Sequence, residues 1–131
     1  MITHHTLAVY GTLKNGFGNN HFMRNSEYLG SGITKGSFFM DEYGAPMVFK
    51  EPNYAPVKVD VYKVPDRDLT GPIDGLESNG SVYNREVTEI ILDNNEEVEA
   101  WLYFGLPKFQ PSTPTPPEEE IYNWGAQRAA S

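Results

Sequence analysis

The stretch "VKVDVYKV", Val57 to Val64, most narrows what this chain can fold into. Val57, Val59 and Val61 alternate with Lys58, Asp60 and Tyr62, so the side chains fall on opposite sides with the period of a β-strand. One face is apolar and the other mostly solvated, so the apolar face has to be covered by other elements. A second constraint follows downstream. "VYNREVTEIIL" and "EVEAWLYFG" flank Asp93-Asn94-Asn95-Glu96, a composition that signals a hairpin turn. Val98, Ala100, Leu102 and Phe104 share one face of the second strand. The chain is built around a sheet.

The remaining segments fit the same plan. Thr6 to Tyr10 reads as a short buried strand, with Leu7 and Val9 on one face and Ala8 and Tyr10 on the other. "NHFMRN" suits one or two helical turns. In "YLGSGITKGSFFMDEYGAPMVF", Gly30, Gly32, Gly36 and Gly44 lie between aromatic and β-branched residues, which predicts short strands joined by bends or bulges. Pro65-Asp66 opens a helical stretch. Gly71-Pro72 is expected to break it into two short pieces ending near Glu77. The total is about six strands with one interrupted helical region. That is an α+β domain on a mostly antiparallel, barrel-like sheet.

A length of 131 residues suits one domain. Composition shifts after Gly105, where Pro107, Pro111, Pro114, Pro116 and Pro117 favour an extended segment. The division expected is a domain over 1–105 and a proline-rich extension over 106–131, with a short terminal helix docking Ile121, Tyr122 and Trp124. Eighteen acidic against ten basic residues give a net charge of -8. Such a surface repels a phosphate backbone, so nucleic acid is not the expected partner. Cysteine is absent, which removes disulfides and thiolate metal sites. His4 and His5 are neighbours on a strand and point to opposite faces, and His21 is the one other histidine. No metal site is expected from them, because zinc sites take three or four converging ligands. No apolar run reaches the ~20 residues of a membrane span. No secretory signal is evident either, so the expected location is cytoplasmic.

Candidate chemistry concentrates in two places. In "VYGTLKNGFGNN" a hydrophobic run stops at Tyr10-Gly11-Thr12, followed by a loop rich in glycine and asparagine. This loop is either simple punctuation or a set of main-chain N–H groups aimed at an anion. It matches neither dinucleotide nor P-loop spacing, and no serine lies in a nucleophile elbow. The second place is "IDGLESNGSVYNRE". Glu77 ends an apolar helical turn with Ile73 and Leu76, and Asp74 is placed to raise its pKa by like-charge repulsion. Tyr83 and Arg85 point to one face of the next strand. Glu77 reads equally well as a catalytic acid/base and as a helix-end carboxylate paired with Arg85.

The two stretches together resemble the gamma-glutamylcyclotransferase-like family. Tyr10-Gly11-Thr12-Leu13 is similar to its Y-G-(S/T)-L loop, and "YGTLKNGFGNN" is most similar to the gamma-glutamylamine cyclotransferase branch. "IDGLESNGSVYNREV" is similar to the family's LDxxE followed by Y-x-R. The resemblance covers about residues 6 to 105, and the chain departs from it at Ser78, at Gly71-Pro72 and in the proline-rich tail. It implies a small mixed, mostly antiparallel β-barrel with short flanking helices and a pocket at one end. It also implies an enzyme that acts on a small-molecule gamma-glutamyl compound and releases 5-oxoproline and an amine, without cofactor or metal. Glu77 then falls on the catalytic general acid/base. Tyr10, Gly11, Thr12, Leu13, Tyr83 and Arg85 fall on substrate-binding positions, with Arg85 either holding a substrate carboxylate or bracing Glu77. Two other classes remain open: a non-catalytic module that sequesters a small anionic or amino-acid-like metabolite, and an interaction protein working through its tail.

Overall fold

The computed structural model describes residues 3–11, 13–14, 20–41, 46–77, 79–117 and 120–124. Seven strands form one sheet: β1 (His4–Val9), β2 (Glu27–Thr34), β3 (Phe39–Asp41), β4 (Met47–Phe49), β5 (Lys58–Pro65), β6 (Tyr83–Leu92) and β7 (Glu97–Gly105). Five of them run in the order β1-β5-β2-β6-β7. The sheet then closes on itself, because β1 also pairs in parallel with β7 through Leu7 and Trp101. The other seams of this barrel are antiparallel. The short β3–β4 hairpin extends β7, with β4 parallel to it at Val48 and Phe104. The architecture is therefore a small α+β fold around a closed five-stranded barrel, with one strand more than the sequence count. Closure removes the exposed edges that an open sheet of this size would carry.

Alternation sets up two apolar layers. Ala8, Val57, Val59, Val61, Ile90, Ala100, Leu102 and Phe104 turn to one side and pack with the aromatic residues of β3 and β4. Leu7, Val9, Tyr62, Val64 and Tyr103 turn to the other and are covered by Leu69 and Ile73. The expected bulge in the glycine-rich segment lies between Tyr28 and Gly30 of β2, where Gly30 has φ 134. That backbone region favours glycine.

The helical stretch differs from expectation at Gly71-Pro72. It widens instead of breaking: α1 (Asp66–Asp68) passes through a π-helical turn (Leu69–Ile73) into α2 (Asp74–Leu76). Pro72 has no N–H to offer, and the wider turn lets the Asp74 N–H reach the Leu69 carbonyl past it. Leu69 and Ile73 thereby stay buried on the sheet, while α2 itself buries no apolar side chain.

The tail does not form the expected helix over its described residues 120–124. Tyr122 instead bridges Val57 in parallel: its N–H donates to the Pro56 carbonyl and its carbonyl accepts from the Lys58 N–H. Tyr122 and Trp124 are buried in the barrel core, whereas Ile121 faces outward. No helix among the described residues is long and apolar enough to cross a membrane.

Candidate active site

Where β1 ends, a cavity of about 260 Å³ opens between the turn after that strand and the end of the helical stretch. Tyr10, Gly11 and Leu13 supply one side, Leu76 and Glu77 another, and Tyr83 and Tyr103 reach in from β6 and β7. Pro46 closes the remaining side. The turn at Gly11 is tied by the Lys14 N–H, which donates to the Gly11 carbonyl at 3.0 Å.

Glu77 owes its place to the helix: its N–H donates to the Ile73 carbonyl at 3.0 Å, continuing the helical bonding by one residue. Burial raises its carboxyl to about 7, since a low-dielectric wall penalises the charged form. The expected contribution from Asp74 is absent. Desolvation is the cause of the rise, and the Asp74 carboxylate is bound elsewhere. Arg85 grips it with two parallel bonds, Nε to Oδ1 at 2.9 Å and Nη2 to Oδ2 at 3.1 Å. Tyr103 donates its hydroxyl to the same Oδ1 at 2.5 Å. A carboxylate neutralised in this way repels its neighbours little.

The tyrosines of the wall are fixed by main-chain acceptors. Tyr10 donates its hydroxyl to the Tyr103 carbonyl at 2.6 Å, and Tyr83 donates to the Pro46 carbonyl at 2.8 Å. Burial is the first cause that raises all three phenols, with the Glu77 charge adding to it. They are neutral donors at any ordinary pH. Their rings, with Val9, Leu13 and Leu76, make the wall largely apolar around one carboxyl group.

Of the residues singled out in the sequence, Tyr10, Gly11, Leu13, Glu77 and Tyr83 meet at this cavity. Thr12 lies outside the described residues, as does Ser78. Arg85 does not line the cavity. Its guanidinium is held by Asp74 and lies over the Trp101 ring at 4.6 Å from the centroid, so its ion pair is with Asp74 and not with Glu77. Tyr103 and Pro46 escaped the sequence reading. The signal for Tyr103 was its place opposite Leu102 and Phe104 on β7, an aromatic where a solvated residue would complete the alternation. His5 pairs with Asp66 at 2.7 Å, away from this site. Among the described residues no group of three or more His, Asp or Glu is arranged to hold a metal ion.

A closed barrel with a buried carboxyl across from a strand-end turn defines a class of small pocket-bearing β-barrel proteins. Comparison with known proteins narrows it. Residues 7–125 match the family described as "Gamma-glutamyl cyclotransferase, AIG2-like", and the chain belongs to that family. The match continues past residue 105, where the sequence resemblance was taken to end. A putative gamma-glutamylcyclotransferase of Methanocaldococcus jannaschii is 38% identical over 97 residues, spanning 73% of this chain and 80% of that protein. Another from Drosophila melanogaster is 33% identical over 104 residues, spanning 72% of this chain and 66% of the relative. Among solved structures, an AIG2-like protein from Mus musculus superposes with a TM-score of 0.72 at 23% identity, covering 88% of this chain and 98% of that one. An uncharacterised protein from Pyrococcus horikoshii gives 0.64 at 23% identity, covering 95% and 93%. These last two likenesses speak for the fold. The family match and the Methanocaldococcus jannaschii relative make the chain a gamma-glutamylcyclotransferase-like enzyme.

Proposed function

We propose that the protein is a cyclotransferase that closes a gamma-glutamyl compound into 5-oxoproline and releases its amine, with Glu77 as the proton shuttle. The observation that carries this reading is the Glu77 carboxyl, raised by burial to about 7 on the wall of the cavity. The α-amine of such a substrate can reach its own γ-carbonyl, so the reaction needs a folded conformer more than a second reactant. A small, mostly apolar hollow favours the folded form by confining it.

The amine arrives as an ammonium and cannot attack until it loses a proton. Ionised Glu77 accepts that proton as nitrogen bonds to the γ-carbon, and the carbonyl π electrons move to oxygen. The tetrahedral oxyanion faces the main-chain turn of Gly11 and Leu13, whose N–H groups suit a developing negative charge. Collapse re-forms the carbonyl and breaks the old C–N bond as Glu77 returns its proton to the leaving nitrogen. The second proton, which the ring nitrogen sheds in becoming a lactam N–H, follows through the same carboxylate, so the amine leaves as an ammonium. A carboxyl with its pKa near neutrality performs both transfers better than an ordinary one. Tyr10, Tyr83 and Tyr103 form the neutral walls, and no step calls on a cofactor.

The test is a screen of gamma-glutamyl compounds for 5-oxoproline release, with Glu77→Gln as the blank. Glutamine keeps the shape and cannot carry the proton, so turnover is expected to fall by about 10²–10⁴-fold with the fold retained. Release at the wild-type rate from Glu77→Gln would remove Glu77 from the reaction.

A further inference from the structure

The turn that carries Glu77 has little holding it in place by packing. α2 buries no apolar side chain, its Leu76 is more than a third exposed, and the π turn before it contains Pro72. Ile73 is the last deeply buried residue before the carboxyl. A short, loosely packed helix end is the sort of segment that opens locally at low cost. Yet this one presents a single acid to a cavity and keeps it mostly out of solvent.

What fixes it is polar. Asp74, the first residue of α2, is only 14% exposed at its side chain, and Arg85 17%. Arg85 and Tyr103 are direct cross-strand partners in the β6–β7 ladder, so both donors to Asp74 come from one rigid rung of the barrel. The Arg85 guanidinium is itself pinned over Trp101, and the main-chain N–H of Arg85 donates to Asn79 Oδ1 at 3.2 Å. Asn79 in turn donates its N–H to the Asp74 carbonyl at 3.0 Å. The chain segment from Asp74 to Asn79, with Glu77 in its middle, is thus tied to β6 at both ends.

We propose that Arg85 and Tyr103, acting through Asp74, are positioning residues that anchor the helix end to the barrel and hold the Glu77 carboxyl against the cavity. The proposal deepens the functional reading above and rests on it for any effect on turnover, whereas the anchoring itself is a statement about geometry. A fork of two bonds from a planar guanidinium fixes distance and orientation together. A helix end held by one apolar contact would be free to rotate. The ionisable groups that face Glu77 are Tyr10 after β1, Tyr83 on β6 and Tyr103 on β7.

The experiment reads the side-chain carboxyl of Glu77 directly, by NMR titration of carbon-13-labelled protein, its signal assigned by its loss in Glu77→Gln. Two variants are compared with the wild type: Arg85→Met, and Tyr103→Phe, which removes one hydroxyl and keeps the ring. Electrostatics and anchoring predict opposite signs for the first. Removing the guanidinium leaves Asp74 uncompensated, and by charge alone that raises the Glu77 midpoint. Releasing the helix end lets water reach the carboxyl, and that lowers it. The expected result is a fall of roughly one pH unit or more in both variants, toward the ordinary carboxylate range. A midpoint that stays at the wild-type value or rises in either folded variant overturns the proposal. If Arg85→Met fails to fold, Tyr103→Phe carries the test unaided. Absence of 5-oxoproline release from the wild type would instead count against the cyclotransferase reading, and the titration would still decide the anchoring.

Discussion

The hydroxyl of Tyr10 donates to the main-chain carbonyl of Tyr103 at 2.6 Å, across 93 residues of sequence. Tyr10 follows directly on β1 and Tyr103 belongs to β7, so this bond crosses the parallel seam that closes the barrel. The same oxygen accepts from the Val48 N–H at 3.3 Å. One phenol thereby satisfies two buried main-chain groups where the ladder between β1 and β7 has ended. Tyr10→Phe removes both bonds and keeps the ring. Leaving a buried polar group unpaired costs about 1–3 kcal/mol, and urea denaturation is expected to show a loss in that range. A variant as stable as the wild type would mean that water or another group takes over these partners.

Glu77 makes stability depend on pH in a direction that can be worked out. Its folded value is raised to about 7, above the ordinary carboxylate value of the unfolded chain. The folded state therefore favours the protonated acid. Below the unfolded value the group costs nothing, and as pH rises from about 4.5 through 7 the penalty of ionising it in a mostly apolar wall grows. Glu77→Gln removes that penalty. The variant should gain on the wild type between pH 5 and pH 8 by an amount on the order of 2 kcal/mol, allowing for partial solvent access. Denaturant midpoints at the two pH values check it. A constant difference between the two proteins would mean that Glu77 titrates like an exposed carboxyl.

Much of this molecule could be read from its residues, and the limits of that reading have physical causes. The alternating valines and the Asp93–Glu96 turn gave β5, β6 and β7 because a half-buried strand leaves a period of two in the sequence. Tyr10, Gly11, Leu13, Glu77 and Tyr83 were placed in one cavity because the motifs carrying them could be recognised. Register is different. Nothing local says that Arg85 will sit beside Tyr103 or that both will take Asp74, since that depends on which rung of the ladder faces the helix. Pro72 misled for a related reason: it forbids one hydrogen bond, but a π turn supplies a detour that composition does not reveal. In the tail the expected docking of Tyr122 and Trp124 is present, but residues 120–124 reach it through a bridge to Val57 in place of a helix, a pairing that composition does not reveal.

Tyr122 is the clearest case. It is 1% exposed, lies edge-on to Phe39 with centroids 6.4 Å apart, and donates its hydroxyl to the Thr115 carbonyl at 2.8 Å. Lys14 ties the neighbouring residues to the turn of the cavity, its ammonium donating to the Trp124 carbonyl at 2.9 Å. Tyr122→Ala should cost about 3–5 kcal/mol, as for other large aromatic truncations in a core. In a domain of this size such a loss shows as a fall in Tm of many degrees. A variant with nearly unchanged thermal unfolding would make the tail an accessory to the barrel.

Gly11 poses the last question, because two reasons for a glycine there lead to different outcomes. One is room for a substrate, at a position that the family resemblance assigns to substrate binding. The structure adds a nearer cause: a Cβ at this position would lie 2.9 Å from Cγ of Pro46, closer than real Cβ contacts come. Pro46 cannot give way by a rotamer change, and its carbonyl accepts the Tyr83 hydroxyl at 2.8 Å. Alanine at position 11 therefore pushes on a residue that fixes one wall of the cavity. Gly11→Ala is expected to lose about 1–3 kcal/mol of stability, as overpacked sites do. It should also weaken substrate binding, seen as a raised KM for whichever gamma-glutamyl compound the wild type turns over. The double variant Gly11→Ala with Pro46→Ala separates the two reasons. If the contact with Pro46 is what excludes a side chain, removing the ring returns part of the lost stability, whereas a clash with the substrate alone would leave the double variant with the KM of Gly11→Ala and no stability to regain.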